Sequence, residues 1–117
     1  MGRLTTHVLD TARGLPGAGI TVLVLRVEGN ARQLLRSVIT NKDGRCDAPL
    51  LEGADLTVGI YELMFNLTEY FAAGGQTLPN PPFVGDVVLR VGIADSSQHY
   101  HVPLLVSPWS YSTYRGS

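Results

Sequence analysis

Apolar and polar residues alternate in short runs along the chain, and Gly, Pro, Asn or Asp separates one run from the next. Alternation with a period of two places apolar side chains on one face of a strand, and the four separating residue types favour turns. The pattern therefore predicts an all-β protein. Eight strands are predicted, at residues 4–10, 19–28, 34–40, 49–51, 56–67, 84–93, 99–107 and 110–114.

One segment, residues 68–75, predicts a short helix instead of a strand. Thr68 can cap its first turn, Glu69 suits the positive end of the helix dipole, and Gly74 and Gly75 end it. About eight short strands and one helix favour a two-sheet β-sandwich. We expect residues 1–117 to form a single domain of this kind, because the sequence contains neither an internal repeat nor a second set of core segments.

The second predicted strand, residues 19–28, is apolar on both faces in its middle. Val22 and Val24 project to one side, and Leu23 and Leu25 project to the other. A strand with one solvated face would alternate more cleanly. We therefore expect both faces to be covered, one of them by another subunit. A turn is predicted at residues 41–44, and residues 12–17, which are rich in Gly and Pro, are expected to stop the first strand after residue 10.

Composition narrows the function. The formal net charge is −1 and the nine basic residues are scattered, which argues against binding to nucleic acid or to an anionic membrane. No apolar run approaches the roughly 18 residues of a membrane span. A single cysteine, Cys46, excludes an internal disulfide. The first residues lack the apolar core of a secretory signal, so we expect a cytoplasmic location, and the peroxisome stays open as an alternative.

The three histidines are the first candidates for chemistry. His7 lies within the first predicted strand, whereas His99 and His101 lie two residues apart in the seventh and so share a face. Imidazole exchanges a proton near neutral pH, which suits general acid–base catalysis. Two alternatives stand beside this one. The histidines can be ordinary strand residues, or they can supply three nitrogens to a zinc ion with an open position for water.

Arg45 directly follows the turn at residues 41–44. Turned inward, its guanidinium would be a rigid, permanently charged fork that fits a planar, carbonyl-rich ligand. Cys46, the next residue, is interpreted as a buried and inert thiol. Trp109, Tyr111 and Tyr114 lie within the last nine residues, and aromatic side chains usually pack on a surface. We therefore expect the tail to be docked.

Four motifs, in this order, resemble those of a known family: LTTHVLD at 4–10, TNKDGR at 40–45, HYHVPLL at 99–105 and YSTYRGS at 111–117. They resemble the 5-hydroxyisourate hydrolases, the transthyretin-related enzymes of urate degradation. The similarity runs from end to end, and the closing Tyr-Arg-Gly-Ser is specific in combination with the other three motifs.

The resemblance implies a transthyretin-like fold of two four-stranded sheets, with a short helix after the fifth strand. It also implies a homotetramer, built as a dimer of dimers, with active sites in the cleft where the dimers meet. It assigns catalysis to His7, Arg45 and His101, and substrate contact to His7, Arg45, Tyr114 and Ser117, whose carboxylate would lie near the pocket. His99 falls in a more variable part of its motif and is secondary.

The implied reaction is the opening of a cyclic amide in 5-hydroxyisourate by water, which gives 2-oxo-4-hydroxy-4-carboxy-5-ureidoimidazoline. On this hypothesis the histidines move the protons and Arg45 stabilises negative charge on oxygen, and neither a metal nor an organic cofactor is required. Two rival functions remain: a small-molecule carrier in a tetramer channel, as in transthyretin, and a zinc hydrolase that uses His7, His99 and His101.

Overall fold

The computed structural model describes residues 1–116, which form two β-sheets packed face to face with one short α-helix beside them. The predicted all-β sandwich with a single helix is confirmed. The strands are β1 (Arg3–Asp10), β2 (Leu15–Pro16), β3 (Thr21–Glu28), β4 (Ala31–Ile39), β5 (Leu51–Glu52), β6 (Gly59–Phe65), β7 (Val87–Ile93), β8 (His99–Ser107) and β9 (Ser110–Thr113). The α-helix is α1 (Leu67–Ala73), and a 3₁₀ turn covers Gly53–Asp55.

Sheet one has the strand order β2-β1-β8-β9, and sheet two has the order β4-β3-β6-β7. The prediction of two four-stranded sheets is correct for sheet two. It is wrong for sheet one, which has five strands because β5 also pairs with β1. β2 and β5, of two residues each, lie along the edge of β1 that faces away from β8, and β1 and β8 run parallel.

The short strand β2 lies where the sequence predicted only the end of β1, at residues 12–17. Leu15 and Pro16 instead pair with Asp10 and Leu9. Proline is compatible with this position because β2 is an edge strand, where a missing N–H breaks no central ladder.

The predicted limits of the strands differ from the observed ones at residues that are buried without pairing to a neighbouring strand, and at residues that pair without being apolar. Leu56 and Val84 are buried but lie outside β6 and β7. β4 begins at Ala31, three residues before the predicted start, because its first residues carry no apolar alternation that the sequence could reveal. Arg32 in this segment forms an ion pair with Glu62 of β6, with Nε and Oε1 2.8 Å apart.

The helix prediction was correct in existence and wrong in its cap. α1 begins at Leu67, and the N-cap position belongs to Asn66, which makes no side-chain capping hydrogen bond. Thr68 lies inside the first turn, and its backbone N–H donates to Oδ1 of Asp86 at 3.1 Å. A tertiary contact thus satisfies a donor that the sequence assigned to a local cap.

A buried carboxylate ties α1 to sheet one. Asp10, at the end of β1, is fully buried and accepts hydrogen bonds from the backbone of Ala12 and Arg13 and from the hydroxyl of Tyr70 at 2.8 Å. Burial and then the bond to Asp10 raise the pKa of Tyr70 to about 12. Because three donors satisfy the buried charge, it fixes the helix in place.

The outer face of sheet two bears the apolar residues that made β3 unusual. Leu23 and Leu25 project outward and are half-buried, and the exposed Leu34, Ile60 and Val88 share their face. The two-sided pattern of β3 is therefore confirmed, and the described chain forms no further layer over this face. Its coverage by another subunit stays a prediction.

Candidate active site

The parallel pairing of β1 with β8 brings the histidine-containing segments side by side on the outer face of sheet one. Thr5 lies opposite His101, and His7 lies opposite Pro103. Every second residue of each strand projects to the same face. His7, His99 and His101 therefore share this outer face, while the alternating residues of both strands are buried in the sandwich.

A tight turn brings Arg45 against β1. Arg45 forms an isolated antiparallel bridge with His7, and the backbone N–H of Val8 donates to the carbonyl of Gly44 at 2.8 Å. Gly44 has a φ of +74°, and a Cβ at this position would lie 2.4 Å from the carbonyl oxygen of Val8. Only glycine allows this approach. The predicted turn at residues 41–44 is confirmed, and it sets Arg45 beside His7.

An open cavity of about 490 Å³ lies between these strands and the loop after the turn. The residues that give it chemical character are Arg3, Thr5, Arg45, Asp47, His99 and His101. Its net charge is positive, because two arginines, Arg3 and Arg45, line it against a single carboxylate, Asp47. Asp47 also accepts a hydrogen bond from the side-chain amide of Asn41 at 3.0 Å. The cavity can therefore hold a polar ligand rich in carbonyl groups or one with negative charge.

Both candidate catalytic histidines are held in the neutral form. Burial, followed by the charge of Arg45, lowers the pKa of His7 below 6.5, although a backbone hydrogen bond and the charge of Asp43 act against this shift. Burial, Arg45 and then His7 lower the pKa of His101. A neutral imidazole can accept a proton, so both side chains are ready at pH 7 to act as bases.

These shifts predict how the protein responds to acid. Activity that needs neutral His7 and His101 should be constant near neutral pH and fall as the pH drops through their lowered pKa values, below 6.5. Stability should fall in the same direction, because the unfolded chain binds protons at these histidines before the folded chain does. Profiles of kcat/KM and of the thermal midpoint from about pH 5 to about pH 8 measure both. An activity limb centred above 6.5 would contradict the assignment.

The tail is docked on β8, as predicted, mainly through Arg115 and Gly116, whereas the ring of Trp109 stacks on that of the exposed Phe83 with centroids 6.4 Å apart. The guanidinium of Arg115 donates to Oε1 of Gln98 at 2.9 Å and to the carbonyl of His99 at 3.1 Å, and it lies 4.2 Å from the ring centroid of Tyr100. The backbone N–H of Gly116 donates to the carbonyl of His101 at 2.7 Å. The aromatic side chains expected to dock are exposed: Trp109 by 59%, Tyr111 by 50% and Tyr114 by 61%.

Of the predicted site residues, only Arg45 and His101 line the open cavity among residues 1–116, whereas His7 forms a backbone bridge with Arg45 but is not itself a lining residue. Tyr114 lines a different, more apolar cavity of about 420 Å³, together with Ile93, Tyr100 and Val102. Ser117 lies outside the described residues. The structure therefore assembles His7, Arg45 and His101 in one place, and the substrate contacts predicted for Tyr114 and Ser117 stay predictions.

Cys46 and His99 also line the open cavity, but neither is assigned to the chemistry. Cys46 is half-buried, and burial followed by the charge of Asp47 raises the pKa of its thiol. It therefore stays protonated, as expected of an inert thiol. His99 is exposed, and its Nε2 lies 3.2 Å from the carbonyl oxygen of Met1.

Across residues 1–116, no three histidine, cysteine, aspartate or glutamate side chains are grouped so that they could hold a metal ion. His7, His99 and His101 thus do not form the ligand set that the zinc hypothesis requires. None of the helices in the described part of the chain has the length and apolar character needed to cross a bilayer.

Two residues that contact His101 were not predicted from the sequence. The Oγ1 of Thr5 lies 2.8 Å from Nδ1 of His101, and Gly116 packs against the imidazole ring. One signal for Thr5 was present, since it lies two residues before His7 and so shares its face. The pairing with His101 depends on the register of two strands that are 96 residues apart.

The chain is similar to known proteins over its whole length. The model of the HIUase/Transthyretin family matches residues 4–116. A protein of Ralstonia nicotianae named 5-hydroxyisourate hydrolase is 60% identical over the full length of both chains. A protein of Pseudomonas aeruginosa with the same name is 58% identical over 100% of this chain and 93% of its own length.

Solved structures show the same fold. A 5-hydroxyisourate hydrolase of Klebsiella pneumoniae superposes with a TM-score of 0.83 at 34% identity over the whole of both chains. An (S)-allantoin synthase gives a TM-score of 0.94 at 46% identity over 99% of this chain, which spans 44% of that longer chain. A sea bream transthyretin in complex with thyroxine gives 0.86 at 22% identity, over 97% of this chain and 94% of its own. The fold is therefore transthyretin-like.

Proposed function

The chain belongs to the HIUase/Transthyretin family, and we propose that it hydrolyses 5-hydroxyisourate on the outer face of sheet one. The observation that carries this proposal is that His7, Arg45 and His101, from three distant parts of the sequence, lie close together at the outer face of sheet one, where Arg45 and His101 line the open cavity. Relatives that are 58–60% identical over the whole chain bear the name of this hydrolase.

In the proposed reaction, water adds to a carbonyl carbon of the ring. Neutral His7 and His101 orient this water and accept one of its protons as the new C–O bond forms. The ring C–N bond then breaks, and the imidazolium returns the proton to the departing nitrogen. The hydroxyl of the water molecule thus ends on the carboxyl carbon, and its other hydrogen ends on the nitrogen. Proton transfer of this kind typically contributes ~10²–10⁴-fold to the rate.

Arg45 is assigned to the oxygen on which negative charge develops. Its guanidinium is always charged, and its planar donors match a planar ring that carries several carbonyl groups. The same charge helps to keep the histidines neutral, since it lowers the pKa of both. In this proposal Arg45 binds the substrate, stabilises the transition state and keeps both histidines neutral.

We also propose that the chain forms a homotetramer, a dimer of dimers, in which the open cavity becomes part of a closed cleft. Two features of the described residues support it. β7 and β9 are each paired along one edge only, and all four residues of β9 are exposed. Unpaired strand edges usually need cover. Tyr114 and Ser117 would contact the substrate within that cleft, and a cytoplasmic location belongs to the same proposal.

Deleting residues 114–117 is expected to abolish most of the activity and leave the sandwich folded. The deletion removes Arg115, which holds the tail on β8, and Gly116, which packs on the ring of His101 and forms an isolated bridge with it, but no residue of the nine strands. Turnover would be measured together with sedimentation, which should still give the mass of four chains. A fully active truncated protein would show that the tail has no part in the site.

The second candidate function is a carrier for small molecules, which the thyroxine complex of a protein with the same fold suggests. Mixing the protein with freshly generated 5-hydroxyisourate and following the ultraviolet absorbance separates the two. A hydrolase at substoichiometric concentration accelerates the decay of the substrate. A carrier leaves the rate of decay unchanged or slows it, which would overturn the proposed function.

A further inference from the structure

We propose that Thr5 is a positioning residue whose hydroxyl fixes the ring orientation of His101 and thereby decides which ring atom faces the substrate. The inference rests on the proposed hydrolysis for its kinetic consequences, and on the geometry of sheet one for the contact itself. Thr5 lies within the first motif, at residues 4–10, but the sequence indicated no function for it.

The contact follows from strand register. Thr5 of β1 lies directly opposite His101 of β8, and both side chains project to the outer face of sheet one. The Oγ1 of Thr5 and the Nδ1 of His101 are 2.8 Å apart, a good hydrogen-bond distance. Among residues 1–116, the hydroxyl of Thr5 has no other hydrogen-bond partner. Both side chains are half-buried, so water competes for the bond less than it would at an exposed site.

The opposite side of the ring is confined by the tail. A Cβ on Gly116 would lie 2.8 Å from Cδ2 of His101 and 3.3 Å from Cγ, so the glycine backbone already packs closely against this edge. The hydrogen bond from Gly116 to the carbonyl of His101 holds the tail there. Thr5 thus contacts the Nδ1 edge of the imidazole, and Gly116 contacts the Cδ2 edge.

Two contacts of different chemistry distinguish the two flips of the ring. Rotation by 180° about the Cβ–Cγ bond would place the Cδ2 carbon against the hydroxyl and put Nδ1 beside Gly116. The same rotation exchanges Nε2 with Cε1, so the nitrogen that should exchange a proton with water would be replaced by carbon. The hydroxyl of Thr5 favours the flip that keeps Nε2 as the free nitrogen, because only Nδ1 can hydrogen-bond to it.

Thr5→Val tests the proposal, since valine keeps the shape of threonine and removes the hydroxyl. We expect kcat to fall about threefold to tenfold, the value of one hydrogen bond, with KM little changed. Thr5→Ser restores the hydroxyl and should restore kcat. Thr11→Val is the matched control, because it removes a hydroxyl hydrogen bond to the carbonyl of Val106 at the other end of the same strand pair. It should keep the wild-type kcat.

Two-bond ¹H–¹⁵N spectra of the imidazole groups provide a readout that does not depend on activity. The chain has three histidines, so His101 can be assigned by comparison with a His101 variant. We expect one tautomer of His101 in the wild type and in Thr5→Ser, and altered Nδ1 and Nε2 shifts in Thr5→Val. Identical shifts and an unchanged kcat in Thr5→Val would overturn the proposal. If the wild type itself fails to hydrolyse the substrate, the proposed function fails, but the spectra still decide the role of Thr5.

Discussion

Replacing His7 or His101 with alanine is expected to lower kcat/KM about 10²–10⁴-fold, the range of a lost general acid–base group. Both side chains project from the outer face of sheet one, so their removal leaves no cavity in the core of the sandwich. The folded state should therefore persist. Steady-state kinetics measure the loss, and circular dichroism with thermal unfolding verifies that each variant is folded.

The double variant sharpens this test. If the two histidines act on the same water molecule, removing both should cost little more than removing one, because residues that act as a unit are not additive. Losses that multiply would instead indicate independent roles. Near-wild-type turnover in both single variants would contradict the proposed chemistry.

Replacing Arg45 with alanine is expected to lower kcat about 10²–10³-fold, as does removal of a donor to a developing oxyanion elsewhere. A second effect should accompany the loss. The charge of Arg45 lowers the pKa of His7 and of His101, so its removal should raise both values. The acid limb of the residual activity should then move to higher pH. Rate measurements across the pH range report both effects.

Arg45→Lys separates charge from shape. Lysine keeps the positive charge, so the pH limb should stay close to that of the wild type, whereas kcat should still fall because the planar fork is lost. The matched control is Arg13→Lys, the same replacement in the turn after β1, which lines a different cavity. An Arg45→Ala variant with an unmoved pH limb would show that its charge does not act on the histidines.

The sequence predicted the fold where backbone pairing and side-chain burial follow one pattern. The bounds of β8 coincide with the predicted strand because its alternation and its ladder begin and end together. The pattern could not reveal β2, because this two-residue strand arises from pairing with β1 and not from its own composition. It did predict a short strand at residues 49–51, which shares only Leu51 with the observed β5 because pairing with β1 sets the limits of that strand. Thr68 was misplaced for the same reason, since a contact with Asp86 replaces the local cap.

The candidate site, too, could be predicted from the sequence only in part. Residue chemistry alone indicated the three histidines and Arg45 as candidates, because few side chains exchange protons at neutral pH or bind planar ligands. The family resemblance selected His7, His101 and Arg45 among them. Their meeting depends on the parallel register of β1 with β8 and on the close approach of Gly44 to Val8. Tyr114 illustrates the limit, since the tail motif identifies it but the described chain places it at another cavity.

The most direct test of the central claim is the rate of 5-hydroxyisourate decay in the presence of a substoichiometric amount of the protein. The ultraviolet absorbance of freshly generated substrate would be followed with the wild type, with the His7→Ala/His101→Ala double variant and with buffer alone. We predict many turnovers for the wild type and a rate near that of buffer for the double variant. Equal rates in all three, or equal acceleration by the wild type and the double variant, would contradict the central claim.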